Sequence, residues 1–146
     1  MKQLTHRFAK AEALPYRLPF VLLAVLLLSG CAAMGPKTDP VVERAQERWD
    51  ALISGDLEKA YTYYSPGFRS SNSLIDFGVT MRTRAVRWTS AAYRDHSCEG
   101  ERCIVRFDIV FRVPRPVPGL DVYEGKNVVE DVWIRSQGQW WYVPNN

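Results

Sequence analysis

Few side chains in this sequence have the type and spacing that chemistry needs. His96 follows Asp95, and a carboxylate beside an imidazole can fix its tautomer for acid–base work. Neighbours along a strand point to opposite faces, so His96 reads better as an exposed polar residue near a hairpin end. Glu130 and Asp131 interrupt an otherwise apolar run from Val128 to Ile134, so one of them should face inward. A carboxylate taken out of water has a raised pKa unless it is paired, and a general base can be made that way. The plainer expectation is an ion pair with an arginine such as Arg106 or Arg135. Asp108 is a third acid, placed by alternation on the face opposite Phe107. Glu130, Asp131 and His96 are thus the catalytic candidates, with a structural role the preferred reading for each.

Cys98 and Cys103 flank a turn at Glu99-Gly100-Glu101, and in an oxidising compartment that is a disulfide arrangement. The spacing is not Cys-x-x-Cys, and His96 with the two cysteines lacks a fourth ligand, so neither redox chemistry nor a metal site is expected. Gly-x-Ser-x-Gly, a phosphate loop and His-Glu-x-x-His are all absent. No cofactor is expected.

The elements that must position these residues fall into two kinds. Asp39-Pro40 is a helix start, with Val41, Ala45, Trp49, Leu52 and Ile53 on one face and Gly55 as the stop. Asp56 can cap a second short helix carrying Leu57, Ala60, Tyr61 and Tyr64, which Ser65-Pro66-Gly67 ends. A third helix is expected from about Ser73 to Arg82. From Ala85 onward the apolar period becomes two. Strands are expected at Val86–Tyr93, Arg102–Val113, Val128–Arg135 and Gln139–Val143, the last two joined through Ser136-Gln137-Gly138 in a register left open. The proline-rich stretch Val113–Gly119 reads as a surface connection and not a central strand. Helices first and an antiparallel sheet afterwards make an α+β class.

The start of the chain carries an address. Lys2, Arg7, Lys10 and Arg17 precede the apolar run Phe20–Leu28, which is too short to span a bilayer and suits a secretory leader. Leu28-Ser29-Gly30-Cys31 resembles the lipobox of bacterial lipoproteins. That resemblance implies cleavage before Cys31, acylation of its sulfur and new amino terminus, and stable anchoring in a lipid bilayer by several chains. Ala32 after the cysteine implies the outer membrane, facing the periplasm. Residues 1–30 would be the leader, 31–39 a lipidated tether and 40–146 the domain. The precursor's net charge of +3 resides in the leader; removing its four basic and one acidic residues from 19 and 16 leaves fifteen of each sign. Nucleic-acid binding, which needs a basic surplus, is therefore not expected.

Trp49-x-Ala51-Leu52-Ile53-x-Gly55-Asp56-Leu57-x-x-Ala60-Tyr61, followed by Tyr64-Ser65-Pro66, resembles the opening of nuclear-transport-factor-2-like (SnoaL-like) domains. Gly138-Gln139-Trp140-Trp141-Tyr142 is similar to their last hairpin. The resemblance implies a cone-shaped, cystatin-like arrangement, with N-terminal helices on a curved antiparallel sheet and a cavity at the wide end. Trp49, Tyr64, Phe107, Phe111, Trp133, Trp140 and Trp141 are the pocket or partner-surface candidates. The last two strands are apolar on both faces, so a sheet face exposing tryptophans to a second copy or an envelope partner is expected. Two functions follow as expectations. One is a non-catalytic periplasmic binding or assembly module for a protein partner or small apolar ligand. The other is an isomerase, dehydratase or hydrolase acting on a small hydrophobic substrate.

Overall fold

Asp39 caps the first helix as its position predicts. The computed structural model describes residues 38–145; Cys31, the expected leader before it and most of the expected tether lie outside them. Asp39 Oδ1 accepts a hydrogen bond from the Val41 N–H at 3.1 Å, Pro40 takes the first turn, and α1 spans Pro40–Ser54. Gly55 stops it at φ 80°, a left-handed conformation that a Cβ would oppose. Asp56 caps α2 (Leu57–Thr62) by accepting from Lys59 N–H at 3.0 Å. The next segment departs from expectation. Ser65 Oγ accepts from Phe68 N–H, and Pro66 opens a further helix, α3 (Pro66–Ser71). This is the same cap-then-proline signal as Asp39-Pro40, masked by Gly67, which reads as a turn residue. Ser73 then caps α4 (Leu74–Thr83).

The remaining chain forms one antiparallel sheet in sequence order: β1 (Arg87–Glu99), β2 (Arg102–Val117), β3 (Leu120–Ser136) and β4 (Gln139–Val143). The α+β class holds, with four helices and four strands among the described residues. Ser136 pairs with Gln139, so the last hairpin turns on Gln137 and Gly138 alone, at φ 53° and 77°. Two successive positive φ values mark a type I′ turn, whose twist matches the flanking strands and settles the register.

β1 and β3 are longer than their sequences suggest. Register shifts at Trp88/Ser90 and Tyr93/Asp95 interrupt the alternation of β1 and hide its second half. β3 starts at Leu120 because its partner β2 continues through Val117. The segment Val113–Gly119 is therefore the far end of the β2–β3 hairpin, not a loose connection. Pro114 is tolerated there because the pairing of β1 ends at Arg87 opposite Arg112, leaving β2 with one neighbour.

The core lies between α1 and the inner sheet face. Val41, Ala45, Trp49 and Leu52 meet Val105, Phe107, Ile109 and Trp133, all buried. Each large apolar side chain taken from water there contributes about 1.5–3 kcal/mol. Cys98 and Cys103 face each other at disulfide distance, with Cα atoms 4.1 Å apart. The outer edge of β4 is closed by the chain itself. Ser65 N–H donates to Tyr142 O, and Tyr142 N–H to Tyr63 O, both at 2.9 Å. These bonds remove an open edge and bring Tyr64 against Tyr142.

Candidate functional site

Val41, Ala45, Arg48 and Leu52 are spaced four, three and four apart, which places an arginine within the apolar stripe of α1. Arg48 is 2% exposed and Asp131 is fully buried. Arg48 Nη2 donates to Asp131 Oδ2 at 2.6 Å, and Trp49 Nε1 donates to the same oxygen at 2.8 Å. The guanidinium carbon lies 3.7 Å from the Tyr142 ring centroid, 4.8 Å from Trp49 and 5.8 Å from Tyr64. Aromatic faces thus supply part of the stabilisation that water no longer gives this cation. Two atoms of the pair, Asp131 Oδ1 and Arg48 Nε, find no hydrogen-bond partner within the protein.

Burial pushes the Asp131 carboxyl above the ordinary carboxylate range, against the opposing pull of Arg48 and the Trp49 N–H. Desolvation is the largest single influence on Arg48 and opposes its cation, but Asp131, Tyr142 and Tyr64 together outweigh it and the arginine stays charged. Burial raises both Tyr64 and Tyr142, the latter to about 12, so both phenols keep their protons at neutral pH.

Arg48 and Asp131 line a cavity of about 380 Å³ between the helices and the inner sheet face. Trp49, Tyr64, Trp88, Val129 and Tyr142 form much of its wall, Phe68, Phe77, Thr80 and Met81 of α3 and α4 extend it, and Asn72, Pro144 and Asn145 also line it. Tyr64 holds this wall together, its ring centroid 4.6 Å from Phe68, 5.0 Å from Phe77 and 4.9 Å from Tyr142. Tyr61 donates through its hydroxyl to Asn72 O at 2.6 Å, tying α2 to the end of α3. Asp76 and Arg84 are exposed lining residues, and the Arg84 guanidinium lies 5.3 Å from the centre of Trp88. The four charged lining residues therefore cancel.

The structure places each of the charged and sulfur-bearing candidates, and corrects the expected partner of the inward acid. The inward acid is Asp131, and its partner is Arg48, not Arg106 or Arg135. Glu130 faces outward and pairs with Arg106 at 2.8 Å, and the same arginine reaches Asp95 at 2.7 Å. His96 is not paired with Asp95; its Nδ1 lies 2.8 Å from Tyr93 Oη and its Nε2 3.6 Å from Asp39, away from the cavity lining. Cys98 and Cys103 are engaged with each other, leaving no thiolate for His96 to share a metal with.

Among the aromatic candidates, Trp49 and Tyr64 line the cavity, and Trp49 is a hydrogen-bond donor as well as a packing residue. Phe107 is buried beneath Trp49, 6.1 Å between centroids, and Trp133 is buried against Tyr142. Phe111 is half-buried and lies across Gly125, where an added Cβ would come within 3.1 Å of three ring carbons. Of the tryptophans expected on an exposed sheet face, Trp141 lies opposite exposed Ile134 on the outer side of β3 and β4. Trp140 packs on the core, and Trp141 is half-buried with Arg69 and Arg44 at 5.1 and 5.9 Å from its ring centre. Arg48 was missed as a site residue although its place in the α1 stripe signals it. Arg84, although exposed, also lines the cavity.

No family model and no curated protein matches the sequence. Solved structures do match, and they define the class of fold. A protein of the NTF2-like family from Streptomyces avermitilis aligns at a TM-score of 0.51 and 12% identity, covering 70% of this chain and 88% of its own. A SEC-C motif containing protein from Rhodopseudomonas palustris aligns at 0.53 and 16%, covering 69% and 73%. A second SEC-C motif containing protein, from Psychrobacter arcticus, aligns at 0.50 and 12%, covering 77% of this chain and 63% of that one. The described domain therefore has an NTF2-like fold; at these identities the likeness extends to fold alone.

Proposed function

We propose that this chain is an envelope lipoprotein, anchored through acylated Cys31 in the outer membrane and facing the periplasm, whose NTF2-like domain is a non-catalytic binding module for a small apolar ligand. The observation that carries the binding role is the open, aromatic-walled cavity of about 380 Å³. Its one inward carboxylate already holds Arg48 and the Trp49 N–H, so it serves the architecture before it can serve chemistry. Cavities of this size and lining suit small ligands.

The test is recovery of a bound molecule. The full chain purified from its native envelope is extracted with organic solvent and analysed by mass spectrometry, beside a Thr80→Trp variant that fills the cavity. A small apolar compound present in wild type and lost in Thr80→Trp is expected; equal recovery from both would remove the cavity from the account. Anchoring is tested separately with labelled palmitate. Cys31→Ala should lose the label and leave the membrane, and a variant still processed and membrane-bound would sink the lipoprotein reading.

A protein partner or second copy would meet the outer sheet face at Ile104, Ile134, Trp141 and Val143, a part-exposed apolar strip beside the ion pairs. The enzyme reading rests on one observation, a buried carboxylate, Asp131, among the residues that line the cavity. It requires turnover of a small hydrophobic substrate that Asp131→Asn abolishes while binding persists.

A further inference from the structure

We infer that the outer face of α4, together with Arg84 and Arg87 beyond its end, docks on an anionic phospholipid surface. The inference rests on the lipid-anchor part of the reading above and adds a second contact with the bilayer. Helical spacing divides α4 between two tasks. Phe77, Thr80 and Met81 turn towards the cavity, and Asp76 also lines it. Ile75, Val79 and Arg82 follow at intervals of four and three, which places them together on the opposite side. Ile75 is 77% exposed and Val79 54%. Leu74, at the start of the helix, adds a third exposed apolar side chain.

Exposed apolar side chains do not by themselves name what covers them; here the charge beside them does. Arg82, Arg84 and Arg87 are all exposed, and none has a carboxylate partner among the described residues. The sheet arginines Arg94, Arg106 and Arg112, by contrast, are each matched by an acid. Arg87 Nη2 donates to the Arg82 carbonyl at 3.1 Å, and the Arg84 guanidinium lies over Trp88, so the three cations gather at the end of the helix. The one acid of α4, Asp76, lines the cavity and accepts from Ser73 Oγ at 2.6 Å. The exposed apolar group at the tip of the β2–β3 hairpin, Val117, Leu120, Val122 and Tyr123, stands among Asp121, Glu124 and Arg115 and has no such surplus. An apolar stripe beside unmatched cations fits the boundary of an anionic bilayer, where the stripe enters the headgroup layer and the arginines meet lipid phosphates. The tether expected at residues 31–39 is short, so an anchored domain stays within about 30 Å of that surface.

The experiment uses the anchored protein in nanodiscs of phosphatidylcholine, alone or in equal parts with phosphatidylglycerol. A nitrobenzoxadiazole label is attached through Ile75→Cys or, as control, Val122→Cys; Cys98 and Cys103 are engaged with each other, and acylation takes the Cys31 thiol. Lipids carrying a quenching nitroxide report insertion. In discs with phosphatidylglycerol the Ile75 label should enter the acyl boundary, about 5–10 Å deep, and lose roughly half its emission or more, while the Val122 label keeps its own. The triple variant Arg82→Gln, Arg84→Gln and Arg87→Gln, checked for folding by circular dichroism, should lose this quenching, as should discs without phosphatidylglycerol. Equal quenching at both labels, quenching at Ile75 that ignores phosphatidylglycerol, or quenching retained by the folded triple variant overturns the inference. Protein that stays with the discs and shows no quenching overturns it and leaves the anchor standing; protein found with neither kind of disc removes the anchor as well. If the triple variant does not fold, the comparison of the two lipid compositions decides.

Discussion

The two faces of the sheet use the same residue types for opposite ends. On the inner face one arginine and one aspartate form a pair with 2% and 0% side-chain exposure, embedded in aromatic rings. On the outer face Arg94–Asp108, Arg106 with Asp95 and Glu130, and Arg112–Glu124 form a cross-strand ladder open to water. Outside, water solvates each charge whether or not it is paired, so a lost partner matters little. Inside, desolvation has already been suffered by both ions, and each depends on the other. Position, not composition, makes Arg48–Asp131 a site and the ladder a surface.

The largest effect expected from breaking this contrast comes from removing one inner partner. Asp131→Ala or Arg48→Ala should cost about 3–5 kcal/mol in urea unfolding, because each strands a buried charge. Replacing both, Arg48→Met with Asp131→Leu, should leave stability unchanged or raise it by about 1–4 kcal/mol. A double variant as unstable as the singles would mean that packing around the pair, not its charge, dominates.

The register that sorts inner from outer side chains is pinned at Cys98 and Cys103, which close a short loop. Changing both to Ser should lower stability by about 2 kcal/mol, and reducing agent should then shift only the wild type. An unchanged unfolding midpoint in the double Ser protein would show that the hairpin needs no pin.

Proton linkage gives the two faces opposite signs. Asp131 is raised by burial, so the native state holds its proton more tightly than the unfolded chain does. Its contribution therefore grows as pH falls through the window between the ordinary carboxylate value and the raised one. Asp108 is lowered by its hydrogen bond to Arg94, so its contribution is present above the ordinary value and fades as pH falls through the lowered one. The stability gap between wild type and Asp131→Asn should widen on acidification, and the gap to Asp108→Asn should narrow. Parallel trends would refute the assignment of the two environments. The smallest effect belongs to the ladder itself. Arg94→Ala and Arg112→Ala should leave the thermal midpoint nearly unmoved, with any residual difference erased by added salt.

Much of the fold was legible from local order. Asp39-Pro40, Asp56 and Gly55 act within four residues of themselves, and the alternation from Cys103 to Ile109 marks the inner face of β2 without reference to a partner. Ser65-Pro66 carried an equally local signal, obscured by Gly67. Half of β1 was hidden by bulges, and the early part of β3 by Asp121, Gly125 and Asn127, residues that pair only because β2 runs alongside. For the site, Trp49 and Tyr64 were readable and one inward acid was expected. Which of Glu130 and Asp131 it would be depended on the single-residue register that the type I′ turn and the β2–β3 ladder impose.

Local chemistry therefore decided the caps, the strand faces, the α+β class and the presence of one acid among apolar neighbours. Only the tertiary structure decided that this acid meets an arginine 83 residues away on α1, under a tyrosine from β4 and beside an open cavity. The physical reason is range. Capping and alternation are energies of a few neighbouring residues, whereas a buried ion pair forms only where helix rotation, sheet register and closure of the β4 edge coincide.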